Sequence, residues 1–309
     1  MLLTLKFLKS CIFFEKIQKF ILFLHQISCQ THQFGKLFLN IMQSTDYQGI
    51  KFSKFHGAGN DFVMINAIKS PVSLTDDEVK AICDRRTGVG ADGLIMVLPS
   101  EKYAFRMKYY NCDGHESTFC GNGGRCIAAF AVEEGLAPQH LEYEAIDEVH
   151  KAILTKNSDN EYMVSITMRD IENWQIDENR LLINTGSPHY VTRVKNLKDF
   201  DVRKVGAEIR NDKNISKDGV NVDFMELIDN QYYIRTFERG VEDETLACGT
   251  GVTASAIAAA LWYGGDNINI RTTLATLNVR FEKTANSIKN IVLSGPATHV
   301  FDGFYIFEK

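Results

Sequence analysis

Hydrophobic and polar positions alternate with different periods along the chain. Residues 51–55, Lys-Phe-Ser-Lys-Phe, alternate one by one and predict a strand. Ser73 and Thr75, with Asp76, Asp77 and Glu78 behind them, form the acidic opening of a helix running to about Asp84. Leu94 to Leu98 is a short apolar run stopped by Pro99, which predicts a buried strand, and Tyr103 to Tyr110 predicts another. Cys120-Gly121-Asn122-Gly123-Gly124 leads into an apolar helix from Cys126 to Val132 with a glycine stop at Gly135.

The same order returns later in the chain. Tyr232 to Phe237 predicts a strand, and a polar acidic turn covers Glu238 to Thr245. Cys248-Gly249-Thr250-Gly251 then opens a very apolar helix from Val252 to about Tyr263, ended by Gly264-Gly265. Offsets counted from each cysteine agree. Glu116 and Glu244 lie four residues before, Asn111 and Arg239 nine before, and Tyr109 and Phe237 eleven before. Asn60-Asp61-Phe62 and Asn221-Val222-Asp223-Phe224 read as a further shared element. A duplicated unit is the simplest explanation.

Residues 1–41 break this pattern. They hold five lysines against one acid, Glu15, and seven of the twenty phenylalanines. Lys16 and Lys19 interrupt the apolar run that a membrane anchor would need. Ile27-Ser28-Cys29 resembles a lipoprotein box only faintly, because Gln26 replaces an aliphatic residue. The segment reads as a leader outside the fold, with a functional start at Met42. The chain's net charge of -5 then conceals a body nearer -9, which speaks against nucleic-acid binding. The length of 309 residues accommodates two domains of about 150 residues each. Seven cysteines are too few for a disulfide scaffold, and their odd number favours a reducing compartment.

In both halves a cysteine stands at the start of a helix, in front of a glycine-rich turn. Unpaired N–H groups and the positive end of the helix dipole favour an anion there, and they lower a thiol's pKa. Such a nest also suits a carboxylate or an enolate-like oxyanion. Two such units facing each other would place two thiols around one small ligand. One thiolate would remove a proton from carbon and the other thiol would return one to the opposite face, inverting a stereocentre. Other readings are weaker. Cys112, Cys120 and Cys126 lack zinc-ligand spacing. The glycine run Gly88 to Gly93 follows a helix and precedes a strand, the reverse of a dinucleotide fingerprint. Cys83, Cys112 and Cys126 read as buried small residues or bystanders.

These motifs closely resemble the diaminopimelate epimerase family, from about Ile50 to Tyr305. The resemblance rests on the runs Phe55 to Phe62, Gly88 to Asp92, Asn111 to Gly114, Cys120 to Cys126, Ser187-Pro188-His189, Val220-Asn221-Val222, Phe237 to Gly240, Cys248 to Gly251, Ser294 to Ala297 and Val300 to Gly303. It implies an α+β fold of two homologous domains, each a curved, mostly antiparallel sheet around a central helix. The domains would be residues 50–164 plus 294–309 and residues 165–293, with the C-terminal strand returning to the first.

It implies interconversion of LL- and meso-2,6-diaminopimelate without cofactor or metal, in lysine and peptidoglycan-precursor synthesis. Cys120 and Cys248 would be the acid–base pair, with Cys248 taking the proton from the LL substrate. Asn60, Asn111, Asn221 and Arg239 would hold the distal amino and carboxylate groups, and Gly121-Asn122 and Gly249-Thr250 would offer N–H groups to the reacting carboxylate. His189 and Glu238 would tune the thiols or hold the reacting ammonium. Asp61, Asp92 and Glu116 read as structural. A homodimer in the cytoplasm is expected, with a small molecule as partner, and neither nucleic acid nor membrane for the body. Gly93 and Ser187 depart from the family pattern of Gln and Asn, so no contact is assigned to them. A proline-racemase-like enzyme and a thiol-based redox or binding protein are the alternatives. The asparagine set with Glu238-Arg239 counts against the first, and the intact pair of cysteine–glycine turns against the second.

Overall fold

Alternation builds most of this molecule, and two apolar helices fill it. The computed structural model describes residues 49–307, so the leader at residues 1–41 and the start at Met42 lie outside the described residues. Residues Lys51–Tyr305 form one compact unit. Its described strands make one sheet of sixteen.

The first half runs β1 (Gly49–Gly57), β2 (Asn60–Asn66), α1 (Asp76–Cys83), β3 (Gly93–Leu98), β4 (Arg106–Asn111), α2 (Gly121–Glu133), β5 (His140–Glu144), β6 (Val149–Lys156) and β7 (Glu161–Thr167). The second runs β8 (Trp174–Ile176), β9 (Arg180–Asn184), β10 (Pro188–Arg193), α3 (Val202–Asn211), β11 (Asn221–Ile228), β12 (Gln231–Glu238), β13 (Asp243–Thr245), α4 (Gly249–Tyr263), β14 (Asn267–Arg271), β15 (Thr276–Lys283) and the long β16 (Ile288–Ile306).

The pairing repeats with the sequence. In the first half β1–β2 is antiparallel, β2–β3 parallel across α1, β3–β4 antiparallel, and β4–β5 parallel across α2. In the second half β9–β10, β10–β11 across α3, β11–β12, and β12–β14 across α4 follow the same sequence of senses. A parallel joint needs a crossover, and here the crossover is a helix each time. The sheet is thus mostly antiparallel, with two parallel joints in each half. By this correspondence β10 stands in the place of β2 and β11 in that of β3. Asn60 opens β2 and Asn221 opens β11, so the two asparagine runs are not repeats of each other. The acid four residues before each cysteine does behave alike. Glu116 pairs with Lys108 at 3.5 Å and Glu244 with Arg235 at 2.6 Å, each reaching back to the preceding strand.

β16 belongs to both halves. Asn278 of β15 faces Ser294, and beyond that residue β16 turns to β7, with Gly295 opposite Val164. It also pairs with β1, closing the first half into a barrel of β1 to β7 and β16. The ring of Phe55 stacks on His299 at 4.8 Å, and Ser53 Oγ donates to Asp302 at 2.6 Å across the same seam. In the second half a single bridge from Ile171 to Ile288 brings the chain before β8 to the start of β16.

α2 and α4 are the centres of the two halves. α4 is buried from Gly249 to Ala260 and α2 from Gly121 to Ala131. A helix apolar on all sides needs a surrounding wall, and the curved sheet supplies it. Gly264, with φ +92°, caps α4 and donates to Ala260 O at 3.0 Å. α1 is an amphipathic surface helix held by a capping box. Thr75 Oγ1 accepts from the Glu78 N–H at 3.3 Å, and Glu78 Oε2 accepts from the Thr75 N–H at 2.8 Å, which stabilises the helix by about 1 kcal/mol. No helix among the described residues is long and apolar enough to cross a membrane.

Candidate active site

The two helix starts meet. Cys120 and Cys248 are the N-cap residues of α2 and α4, with nearly identical backbone angles (φ -118°, ψ 120° and φ -111°, ψ 115°). A Cβ placed on Gly249 would lie 3.1 Å from Gly121 Cα, and one on Gly121 would lie 3.5 Å from Gly249 Cα. Contact with the α2 backbone therefore favours glycine at position 249, whereas at 121 the tightest neighbour is the Leu293 side chain at 3.0 Å; both glycines also leave N–H groups open to a ligand. This contact brings together two cysteine-capped helix starts from chain positions 128 residues apart.

Around Cys120 the partners come from β2 and α2. Its Sγ lies 3.7 Å from Asn60 Oδ1. Asn60 Nδ2 donates to Asp92 Oδ2 at 2.8 Å, and Asn122 Nδ2 donates to Asn60 Oδ1 at 3.2 Å and to Ala247 O at 2.9 Å. Arg125, fully buried, holds this corner: Nη2 donates to Asn122 Oδ1 at 2.8 Å and Nη1 to Gly121 O at 3.1 Å. Asp61 and Asp92 clamp each other's backbone N–H groups, and Arg85 bridges their carboxylates at 2.7 and 2.5 Å. Burial pushes the Asp61 carboxyl up, but Arg85 and Lys54 outweigh it and hold the pKa at about 2.

Around Cys248 the partners come from α4, β10, β11 and β12. Sγ lies 3.3 Å from Thr250 Oγ1, which lies 2.9 Å from His189 Nε2. His189 Nδ1 faces Asp223 Oδ2 at 2.7 Å, and Thr236 Oγ1 donates to Asp223 Oδ1 at 2.7 Å. Asn221 Nδ2 lies 3.3 Å from His189 Nε2, while its Oδ1 accepts the Arg239 N–H at 2.8 Å.

The thiols do not follow the expectation of a lowered pKa. Burial pushes Cys120 up to about 11; the N–H groups of Gly123 and Asn122 pull it down, and the negative charge of Glu238 adds to the rise. Burial likewise raises Cys248 well above the usual thiol range, followed by the charges of Glu238 and Asp223, against the Thr250 hydroxyl and the Gly251 N–H. The helix ends act in the expected direction, and desolvation outweighs them. Glu238 is itself raised by burial, opposed by a hydrogen bond from Thr245 Oγ1 at 2.8 Å.

Most of the other residues singled out from sequence gather here. Asn60 and Asn122 stand beside Cys120, and Thr250, His189 and Asn221 lie along one chain of contacts to Cys248. Glu238 acts on both thiols. His189 reaches its thiol only through Thr250. Arg239 is half-buried, its guanidinium turned to Gly219 O at 3.4 Å. Asn111 is half-buried at the end of β4, opposite Gly93, where its backbone closes the turn to His115. At Gly93 a Cβ would lie 2.5 Å from Tyr110 O and 2.6 Å from the Tyr109 ring, so no side chain fits. Arg125, Asp223 and the Thr250 hydroxyl were missed. Arg125 and Asp223 were legible only as charges inside otherwise apolar runs. One carboxylate–histidine group, Asp147, Glu148 and His150, has metal-ligand proximity, but both His150 nitrogens are engaged, by Thr167 O at 2.7 Å and Asp147 at 3.1 Å. A groove of about 310 Å³ lined by Ile153, Ser165, Asn278 and Ser294 lies elsewhere, on β6, β7, β15 and β16.

The diaminopimelate epimerase family model matches residues 52–168 and 181–300, spanning both helix starts. The chain belongs to the diaminopimelate epimerase family. It is 42% identical over 257 residues to a diaminopimelate epimerase of Flavobacterium psychrophilum, covering 82% of this chain and 99% of that protein. It is 40% identical over 258 residues to one of Chlorobaculum tepidum, covering 80% and 98%. Membership makes the chain an enzyme of the isomerase class. Among solved structures, it matches a phenazine biosynthesis protein of the PhzF family from Bacillus anthracis with TM-score 0.66 and 17% identity, over 84% of this chain and 100% of that one. It matches a hydroxyproline epimerase from Agrobacterium vitis with TM-score 0.65 and 13% identity, over 85% and 94%. These two likenesses establish the fold.

Proposed function

We propose that this chain interconverts LL- and meso-2,6-diaminopimelate by two-base proton transfer between Cys248 and Cys120, with no cofactor or metal. The observation that carries the reading is the contact of two cysteine-capped helix starts through Gly121 and Gly249. Cys248, as thiolate, takes the α-proton of the LL substrate, and Cys120, as thiol, delivers a proton to the opposite face. The reverse reaction exchanges the roles. The N–H groups of Gly121-Asn122 and Gly249-Thr250 receive the reacting carboxylate, whose charge grows as the α-carbon loses its proton. Glu238 and His189 hold the reacting ammonium or set the thiol protonation. Asn60, Asn111, Asn221 and Arg239 bind the distal amino-acid head.

A buried site with two thiols of raised pKa suits carbon acid chemistry, because a thiolate formed there is a strong base. The need for two free thiols supports a cytoplasmic setting. Exposed apolar side chains at Val300, Phe301 and Phe304 near the end of β16 support a homodimer. The switch of β16 from β15 to β7 supports a division into residues 50–164 plus 294–309 and residues 165–293.

The test is proton NMR in deuterium oxide with LL-diaminopimelate and reduced protein. Deuterium enters one α-carbon as the meso isomer grows, with nothing else added. No exchange under reducing conditions, or exchange of proline in its place, overturns the reading.

A further inference from the structure

We propose that Asp223, His189 and Thr250 form a buried proton relay that takes the thiol proton of Cys248, so that Cys248 rather than Cys120 is the resting base. The relay deepens the functional reading above and rests on its assignment of Cys248 as a base.

With Asp223 as a carboxylate, donor and acceptor chemistry orders the chain of contacts. Asp223 and His189 are both fully buried, and a carboxylate can only accept, so the proton between them at 2.7 Å is carried by His189 Nδ1. Nε2 is then a bare lone pair. Two donors reach it: Thr250 Oγ1 at 2.9 Å and Asn221 Nδ2 at 3.3 Å. The amide of Asn221 is oriented by its Oδ1, which accepts the Arg239 N–H. With its own proton directed at Nε2, Thr250 Oγ1 turns its lone pairs to Cys248 Sγ at 3.3 Å.

The step balances without any other reactant. The S–H bond of Cys248 breaks as an O–H bond forms on Thr250, and the former Thr250 proton forms the N–H bond at His189 Nε2. No electrons are exchanged and the net charge is unchanged. The products are a thiolate and an imidazolium held against Asp223, and the longer Asn221 bond is given up.

Among the described residues, Cys120 has no hydrogen-bonded histidine or hydroxyl that could take its proton. Its side-chain partner is the amide oxygen of Asn60 at 3.7 Å, locked in that orientation by Asp92, and an amide oxygen takes no proton at physiological pH. The two halves are duplicates in backbone and differ in this respect, which gives a symmetric site a preferred resting state.

Asp223 is the positioning residue of the relay, and its sign can be tested. As a bare charge Asp223 repels a thiolate at Cys248. As the anchor of an imidazolium it favours one. Glu238 on β12 acts on His189 and both thiols, and Tyr109 on β4 and Arg125 on α2 act on Cys120; all three are left in place.

The experiment is a pH titration of substrate-free, reduced protein carrying ¹³Cβ-cysteine, read by NMR, with Cys120 and Cys248 assigned by single Cys→Ser variants. In Asp223→Asn and in Thr250→Val the Cys248 midpoint should rise by about one pH unit or more, a tenfold loss of thiolate, with the Cys120 midpoint unmoved. Thr250→Val preserves shape and keeps the test decisive should Asp223→Asn fail to fold. A Cys248 midpoint that falls in Asp223→Asn, or stays put in Thr250→Val, overturns the relay. Because no substrate is used, failure here leaves the epimerase reading standing, and failure of the exchange assay leaves the relay standing.

Discussion

Substituting one of the two contacting glycines tests whether the helix starts set the geometry of the site. In Gly249→Ala the added methyl would lie 3.1 Å from Gly121 Cα, 3.2 Å from the Asn122 nitrogen and 3.3 Å from the Gly121 carbonyl carbon. All three are backbone atoms of α2, so no side chain can swing away, and the helix starts must part by a few tenths of an ångström. Overpacking of this kind costs about 1–3 kcal/mol, which for a body of this size lowers the melting temperature by roughly 3–10 °C. The same displacement moves one thiol against the other, and because a 1 Å misplacement costs about a hundredfold in rate, a loss of about tenfold in kcat is expected. Gly121→Ala is the control. Its methyl meets Leu293 Cδ2 at 3.0 Å, the tip of a flexible side chain, and Gly249 Cα only at 3.5 Å. Thermal unfolding and α-proton exchange in deuterium oxide should therefore both rank Gly249→Ala as the worse variant. Equal behaviour of the two, or a fully active Gly249→Ala, would refute the contact as the element that sets the spacing of the thiols.

Three further outcomes are expected. Cys120→Ala and Cys248→Ala should each abolish inversion in the same assay, and full activity in either would remove the two-base mechanism. Mild oxidation should inactivate the protein with loss of two free thiols, reversibly by dithiothreitol, because thiols at abutting helix starts can form a disulfide; unchanged activity after oxidation counts against that geometry. Asp61, with its folded-state pKa depressed from 3.8 to about 2 by Arg85 and Lys54, contributes stability that is present above pH 4 and lost as pH falls towards 2. The contribution is about 2 kcal/mol, so Asp61→Asn should be less stable at pH 7 and flatten denaturation curves between pH 4 and 2. A variant with the wild-type acid dependence would show that the clamp carries no stability.

Much of this site could be read from residue order. The cysteine–glycine turns gave the two helix starts, and the offsets to Glu116 and Glu244 gave the duplication, because strands and helices carry their period in the chain. The helix bounds were read too short: Gly121 to Gly124 and Gly249 to Gly251 belong to the helices, although glycine disfavours a helix interior. They are there because a neighbour presses on them, as Asp223 Oδ1 does on Gly251, and a tertiary contact leaves no local signature. For the same reason the thiol pKa direction was misread. A helix dipole can be inferred from sequence, whereas the burial that outweighs it depends on walls contributed by distant strands. Asp223 and Arg125 look like ordinary charges until the fold shows both without exposed surface.

The shared strand β16 has a consequence for the order in which the chain can fold. β1 to β7 are synthesised first, yet the strand that joins β7 to β1 and closes their barrel comes about 130 residues later. At a synthesis rate of about 5–20 residues per second, the first half waits roughly 7–25 s with two open strand edges. Open edges invite pairing with other chains. A nascent chain of this protein is thus most exposed to mispairing during that interval, and the same strand that joins the two halves ends it.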